Sequence, residues 1–132
     1  MALLAACGGR AISAGDVTGG RANSAGDVTV LVSEYSSAGM DALGGGRLEL
    51  IGGCLGASGS VIVWPYGTEV GDEDPLQIEV PGYGTFGLGD QVQVGGGYVL
   101  EHSSDEVEPG PYAVAGVTVP SDCAEHDVFV AH

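Results

Sequence analysis

Along the C-terminal two thirds of the chain, apolar and polar residues alternate in short runs separated by Gly, Pro and Asp. Leu76, Ile78 and Val80 alternate with Gln77 and Glu79, the pattern of a strand with one face buried and one in water. Gln91-Val92-Gln93-Val94 repeats it. Ser60-Val61-Ile62-Val63-Trp64 is a continuous apolar run stopped by Pro65, and Leu48-Glu49-Leu50-Ile51 is a shorter strand before it. Thr85-Phe86-Gly87-Leu88 leads into a Gly89-Asp90 turn, and Tyr112 to Val119 and Asp127 to Ala131 complete the set. Nowhere in this region does a 3.6-residue apolar period with caps appear. The pattern predicts an all-β domain over 47–132, a barrel or small sandwich of five to seven strands.

The first 46 residues have a different texture. Gly9-Arg10-Ala11-Ile12-Ser13-Ala14-Gly15-Asp16-Val17-Thr18 returns eleven residues later as Gly20-Arg21-Ala22-Asn23-Ser24-Ala25-Gly26-Asp27-Val28-Thr29. Two copies of a small-residue segment are too short and too few for a solenoid. Such composition buries little apolar surface against its ordering entropy, so the repeat reads as duplicated linker. Val28-Thr29-Val30-Leu31-Val32 is the exception, a possible extra strand over 28–33. Ser36 to Gly46, ending in Gly44-Gly45-Gly46, reads as flexible again. The expected organisation is therefore a flexible Gly/Ser/Asp-rich segment over 1–46 and a compact β domain over 47–132.

Charge narrows the function classes. Eighteen acidic residues face three arginines (Arg10, Arg21, Arg47) and no lysine, for a formal charge of −15. Neither Lys nor Arg occurs from Leu48 onward, so the β domain cannot build the basic patch that phosphate backbones or anionic lipids require. Nucleic acid is not an expected partner. Without lysine there is no Schiff base, no lipoyl or biotinyl attachment and no P-loop lysine. The Gly89-Asp90-Gln91-Val92 turn, similar to those of lipoyl and biotinyl carrier barrels, therefore does not mark one.

Three cysteines are present: Cys7, Cys54 and Cys123. Leu4-Ala5-Ala6-Cys7-Gly8-Gly9 resembles a bacterial lipobox, in which an apolar residue and two small ones precede the cysteine that is lipidated. Only six residues precede Cys7 and none is basic, whereas a secretory signal has a basic start and an apolar stretch. The expectation is that the true start lies upstream of Met1. Lipidation at Cys7 would then be the sole link to a membrane, with the protein held at the outer face of the cytoplasmic membrane. No stretch approaches transmembrane length. Cys54 and Cys123 remain as a pair, and in an oxidising compartment a disulfide is the simplest account of both.

Several motifs together resemble a known group. Gly52-Gly53-Cys54-Leu55-Gly56, Val63-Trp64-Pro65-Tyr66-Gly67-Thr68, Gly89-Asp90-Gln91-Val92, Gly95-Gly96-Gly97 and Pro120-Ser121-Asp122-Cys123 follow in this order. The order is similar to that of small, uncharacterised bacterial exported and lipoprotein-type proteins with an OB-like β-barrel. The resemblance covers Arg47 to Ala131. Its motifs are turns and core positions, so it implies a fold and no activity.

Other constellations have competing readings. Gly82-Tyr83-Gly84-Thr85-Phe86-Gly87 fits G-x-G-x-x-G, yet a dinucleotide site needs a helix opening at the last glycine, and a strand-like run follows instead. Cys123 and His126, with Cys54 and His102 or His132, could supply four zinc ligands; the disulfide reading competes for the same sulfurs and is preferred, and no metal or cofactor is expected. Gly71-Asp72-Glu73-Asp74-Pro75 and Ser103-Ser104-Asp105-Glu106-Val107-Glu108 read as solvated acidic loops, without the ligand spacing of an EF-hand.

Trp64, Tyr66 and Tyr83 lie near predicted strand ends, where an open barrel face could use their rings to bind a ligand. Trp64, ending an apolar run, also reads as core. The functional expectation is a non-enzymatic envelope or surface module, monomeric, binding an unknown cell-envelope component or protein. The alternative is a small secreted hydrolase using a carboxylate pair from the acidic loops.

Overall fold

The period-two runs fold as strands. The computed structural model describes residues 19–36, 42–73, 75–103 and 108–132. Its strands are β1 (Arg21–Ala25), β2 (Val28–Val32), β3 (Ala42–Ile51), β4 (Cys54–Ala57), β5 (Ser60–Trp64), β6 (Glu69–Glu73), β7 (Leu76–Val80), β8 (Gly84–Gly87), β9 (Gln91–Leu100), β10 (Tyr112–Val114), β11 (Val117–Val119) and β12 (Asp127–Ala131). One short helix, α1 (Ser121–Ala124), precedes β12. Among the described residues the protein is all-β apart from this turn of helix.

Seven strands form one sheet in the order β12-β9-β3-β4-β5-β2-β1. The long strand β3 divides its pairing. Ala42 to Arg47 pairs with β9, and Leu48 to Ile51 pairs with β4. β12 is antiparallel to β9 and also parallel to β5, from Asp127 opposite Ser60 to Val130 opposite Val63. β6, β7 and β8 form a separate three-stranded sheet, and β10 and β11 a hairpin.

Both faces of the large sheet are covered, and residue parity sorts the core into two parts. Val30, Val32, Leu55, Ile62, Trp64, Val92, Val94 and Phe129 share one cluster with Leu76, Ile78 and Val80 of β7. Leu31, Cys54, Val61, Val63, Leu100 and Val128 share the other with Val117 and Val119 of β11 and Cys123 of α1. A strand buried on both faces cannot alternate apolar with polar, which is why Ser60 to Trp64 reads as unbroken and is buried throughout. β7 has one face in water, and Gln77 and Glu79 lie exposed between three buried residues.

The N-terminal reading is corrected. The second copy of the repeat is a β-hairpin, β1 and β2 joined by a turn at Gly26-Asp27. β2 supplies Val30, Leu31 and Val32 to the core, all essentially inaccessible. The expected strand at 28–33 is present as β2, and it brings the small-residue segment before it into the sheet. A boundary at 46/47 cuts through β3, because Gly44, Gly45 and Gly46 pair with Val94, Gln93 and Val92. The first repeat copy and Cys7 lie outside the described residues. Small residues with low intrinsic order become strand here because a partner supplies the ladder, the adjacent β2 for Arg21 to Ala25 and the distant β9 for Gly44 to Gly46.

Two further segments differ from expectation. Glu69 to Glu73 is strand β6, not loop, and pairs with β7 through a register shift around Gly71. Tyr112 to Val119 is a hairpin rather than one strand, turning at Ala115 and Gly116. The strand count exceeds five to seven because β4 and β6 were concealed in segments rich in Gly, Ala or acid, Tyr112 to Val119 divides in two, and β1 and β2 join from the N-terminal segment. Residues 104–107, expected as part of an acidic loop, and Asp74 lie outside the described residues.

Candidate functional site

Cys54 and Cys123 form a disulfide, with Cα atoms 6.0 Å apart. Both residues are buried. Cys54 opens β4, after the Gly52-Gly53 turn that ends β3, and Cys123 sits in α1. The turn and the helix touch closely: a Cβ on Gly52 would stand 2.4 Å from the Asp122 carbonyl oxygen. Glycine is required there also because φ is +61°, a region that other L residues enter at a cost. The sulfurs of the alternative zinc set are thus bonded to each other. His102 Nε2 lies 3.0 Å from the Ala124 carbonyl oxygen and 3.1 Å from that of His126. Its backbone N–H donates to Asp127 Oδ1 at 2.9 Å. His102 therefore ties the chain just after β9 to carbonyls at and just beyond the end of α1.

The three aromatic residues singled out from sequence do not converge. Trp64 is 0% exposed, and its Nε1–H donates to the Leu55 carbonyl at 3.3 Å. It is a core residue with a satisfied polar group, unavailable for stacking. Tyr66 is half-buried and meets the exposed Tyr35 edge to face, ring centroids 5.5 Å apart. Tyr83 follows β7, and its hydroxyl accepts from the Gly95 N–H at 3.0 Å and donates to the His132 carbonyl at 3.3 Å.

A concave surface lies elsewhere, along the β3–β9 pair. It is a trough of about 430 Å³ lined by Leu43, Gly44, Gly45, Gly46, Ser58, Gln91, Gln93 and Tyr98. Its floor is glycine, and at Gly45 a Cβ would come within 2.1 Å of the Val92 carbonyl oxygen. Ser58 forms one wall from the β4–β5 turn, with φ at +54°, an uncommon conformation for a non-glycine residue. Its hydroxyl donates to the Gly45 carbonyl at 2.8 Å, which ties the turn to the floor. Gln91 and Gln93 stand exposed on β9 with a buried valine between them. Tyr98 is 42% exposed and Leu43 69%. The buried Phe129 meets the Tyr98 ring edge-on at 5.1 Å and so limits its orientation.

Two other concavities are charged. A groove of about 570 Å³ between β1 and β6 is lined by Arg21, Asn23, Ser24, Glu69, Val70, Gly71 and Asp72. A smaller one of about 370 Å³ includes His102, Glu108, Ser121 and Glu125. Glu69 also stands directly opposite Glu79 in the β6–β7 register, two exposed carboxylates on neighbouring strands.

The trough could not be read from sequence. Gln91 and Gln93 show only as the wet face of a strand, and Gly44 to Gly46 as a linker. Tyr98, directly after Gly95-Gly96-Gly97, was the one available signal. Comparison with protein-family models, curated proteins and solved structures finds no matching family, protein or structure.

Proposed function

We propose that the protein is a non-enzymatic binding module of the bacterial cell envelope, held outside the cytoplasm by a lipid on Cys7. The observation that carries this reading is the buried Cys54–Cys123 disulfide, a linkage that persists in oxidising compartments and is rare in reducing ones. Net charge of −15 supports a partner other than nucleic acid or anionic lipid headgroups. The module acts as a monomer.

The finer fold reading is an OB-like barrel. Its support is the pairing ring β3-β4-β5-β12-β9, in which β9 returns to β3 and the β5–β12 step is parallel. On this reading the three-stranded sheet is an insertion between the third and fourth barrel strands, and the β1–β2 hairpin an N-terminal extension.

Cell fractionation tests the proposal. A tagged chain expressed in bacteria with its natural upstream sequence is expected in the membrane fraction, partitioning into detergent. Cys7→Ser is expected to release it. Identical behaviour of the two forms, or recovery of both from the cytosol with Cys54 and Cys123 reduced, overturns it.

A further inference from the structure

We infer that the β3–β9 trough binds a neutral, hydroxyl-rich saccharide chain, with Tyr98 as the stacking surface and Gln91, Gln93 and Ser58 as the polar contacts. The inference deepens the binding-module reading and needs its fold, not its cellular location.

Four observations lead to this ligand class. First, all the residues lining the trough are uncharged, in a chain of formal charge −15, while the two concavities described above carry Arg21, Glu69 and Asp72 or Glu108 and Glu125. A neutral surface within a negative field offers a cationic ligand no direct ion pair, and the field disfavours an anionic one. Second, the polar groups offered are of mixed character. Each glutamine amide presents two donors and an acceptor, and the tyrosine hydroxyl one of each. Among the described residues, the side chains of Gln91, Gln93 and Tyr98 make no hydrogen bond within the chain, leaving these groups to solvent or ligand. Hydroxyl groups, which both donate and accept, match this set.

Third, an aromatic ring is exposed at the trough and already held in place. Phe129 packs against Tyr98 edge-on, so little rotamer freedom is lost when a flat, apolar sugar face settles on the ring. Fourth, the residues lining the trough follow the β3–β9 pair. Gln91 and Gln93 repeat along β9 opposite Arg47 and Gly45 of β3, a spacing of about 7 Å per two residues. Such a row contacts successive units of a chain. Its volume falls within the ordinary size of ligand sites. The glycine floor lets a ligand approach the backbone, and the Ser58–Gly45 bond holds the floor in place.

The test uses the full chain with its disulfide intact and defined probes: cellohexaose, laminarihexaose and maltohexaose, with oligogalacturonate as an anionic control. Titration is followed by NMR, reading the side-chain amide signals of Gln91 and Gln93. Saturable shifts with at least one neutral probe are expected, with Kd of about 1 mM or below, and little change on adding salt because no ion pairs form. Tyr98→Ala is expected to weaken binding about tenfold, and Tyr98→Phe, which keeps the ring, about threefold or less. Gln93→Ala, at an exposed position that leaves the core intact, is expected to weaken it by about threefold or more. The inference is overturned if no neutral probe shifts the glutamine amides. It is equally overturned if Tyr98→Ala and Gln93→Ala bind as the parent does, or if the anionic control binds as tightly as the neutral probes. None of these failures touches the Cys7 fractionation result, so the site and the envelope location are tested separately.

Discussion

Cys54 and Cys123 lie 69 residues apart in sequence, and their bond joins the first residue of β4 to α1. The link joins a strand to the short helix rather than two neighbouring strands of the sheet. β3 and β12 are separated by β9 on one side, and the sulfurs meet over the face of the sheet that α1 covers. Closing so long a loop removes much of the unfolded chain's freedom, about 4 kcal/mol on the chain-entropy account. The Cys54→Ala/Cys123→Ala double variant is expected to lose about 2–5 kcal/mol of stability in urea titrations. In the parent, thiol counting after denaturation without reductant should find neither Cys54 nor Cys123 reactive. Free thiols at both positions would contradict the staple.

The Gly52-Gly53 turn supplies a paired comparison. Both residues have positive φ, but a Cβ on Gly52 would meet the Asp122 carbonyl oxygen at 2.4 Å whereas one on Gly53 would meet nothing within 4 Å. Gly53→Ala carries only the backbone penalty, about 1–2 kcal/mol. Gly52→Ala carries that penalty and also displaces α1. The expected order of midpoints is parent, Gly53→Ala, then Gly52→Ala; equal losses would mean that the contact with α1 is soft.

Trp64 fills the centre of one core cluster. Trp64→Ala is expected to cost about 3–5 kcal/mol. Trp64→Phe retains most of the volume but leaves the Leu55 carbonyl without its donor. As the chain's only tryptophan, it should fluoresce at a blue-shifted maximum and resist acrylamide quenching in the folded state. Ready quenching would place Trp64 at the surface and reopen its role in ligand contact.

A chain beginning at Arg47 tests the N-terminal hairpin. It would lack β1, β2 and the half of β3 that pairs with β9. Removing Val30, Leu31 and Val32 from the core strips about 1.5–3 kcal/mol of burial per side chain, a large fraction of an ordinary domain's stability. The truncated chain is expected to lose cooperative unfolding and near-ultraviolet circular dichroism. A chain beginning at Gly19 should retain both. Cooperative folding of the shorter chain would show that the hairpin is an accessory.

Glu69 and Glu79 face each other in the β6–β7 register, both exposed. Like charges directly opposite one another destabilise a strand pair. Glu79→Gln is expected to stabilise the protein by about 0.2–1 kcal/mol at low ionic strength, with the gain shrinking as salt is added. A gain that persists unchanged in high salt would have another origin.

Much of the fold was legible because burial leaves a direct imprint on strands. The alternation at Leu76 to Val80 and the unbroken run at Ser60 to Trp64 each specify a strand and the number of its buried faces. The pairing of Cys54 with Cys123 followed from there being only three cysteines, one of them in a lipobox-like run. The glycine-rich parts were not legible. Gly44 to Gly46 and Arg21 to Ala25 carry no apolar pattern, so nothing local distinguishes strand from linker. Both are strand because β9 and β2 offer them hydrogen bonds.

The trough illustrates the same division. The residue types at Gln91, Gln93 and Tyr98 were plain from the chain, as were the strand class, the negative charge and the absence of lysine, since each depends on local pattern or composition alone. Their convergence with Ser58 and Gly44 to Gly46 was not, because it arises from strand register and a turn separated by more than thirty residues in sequence. Trp64 shows the converse: its type invited a binding role, and its place between two packed sheets removed it from solvent. Local sequence sets what a segment can become, whereas long-range pairing and packing set which side chains share a surface, and a binding site is a property of that shared surface.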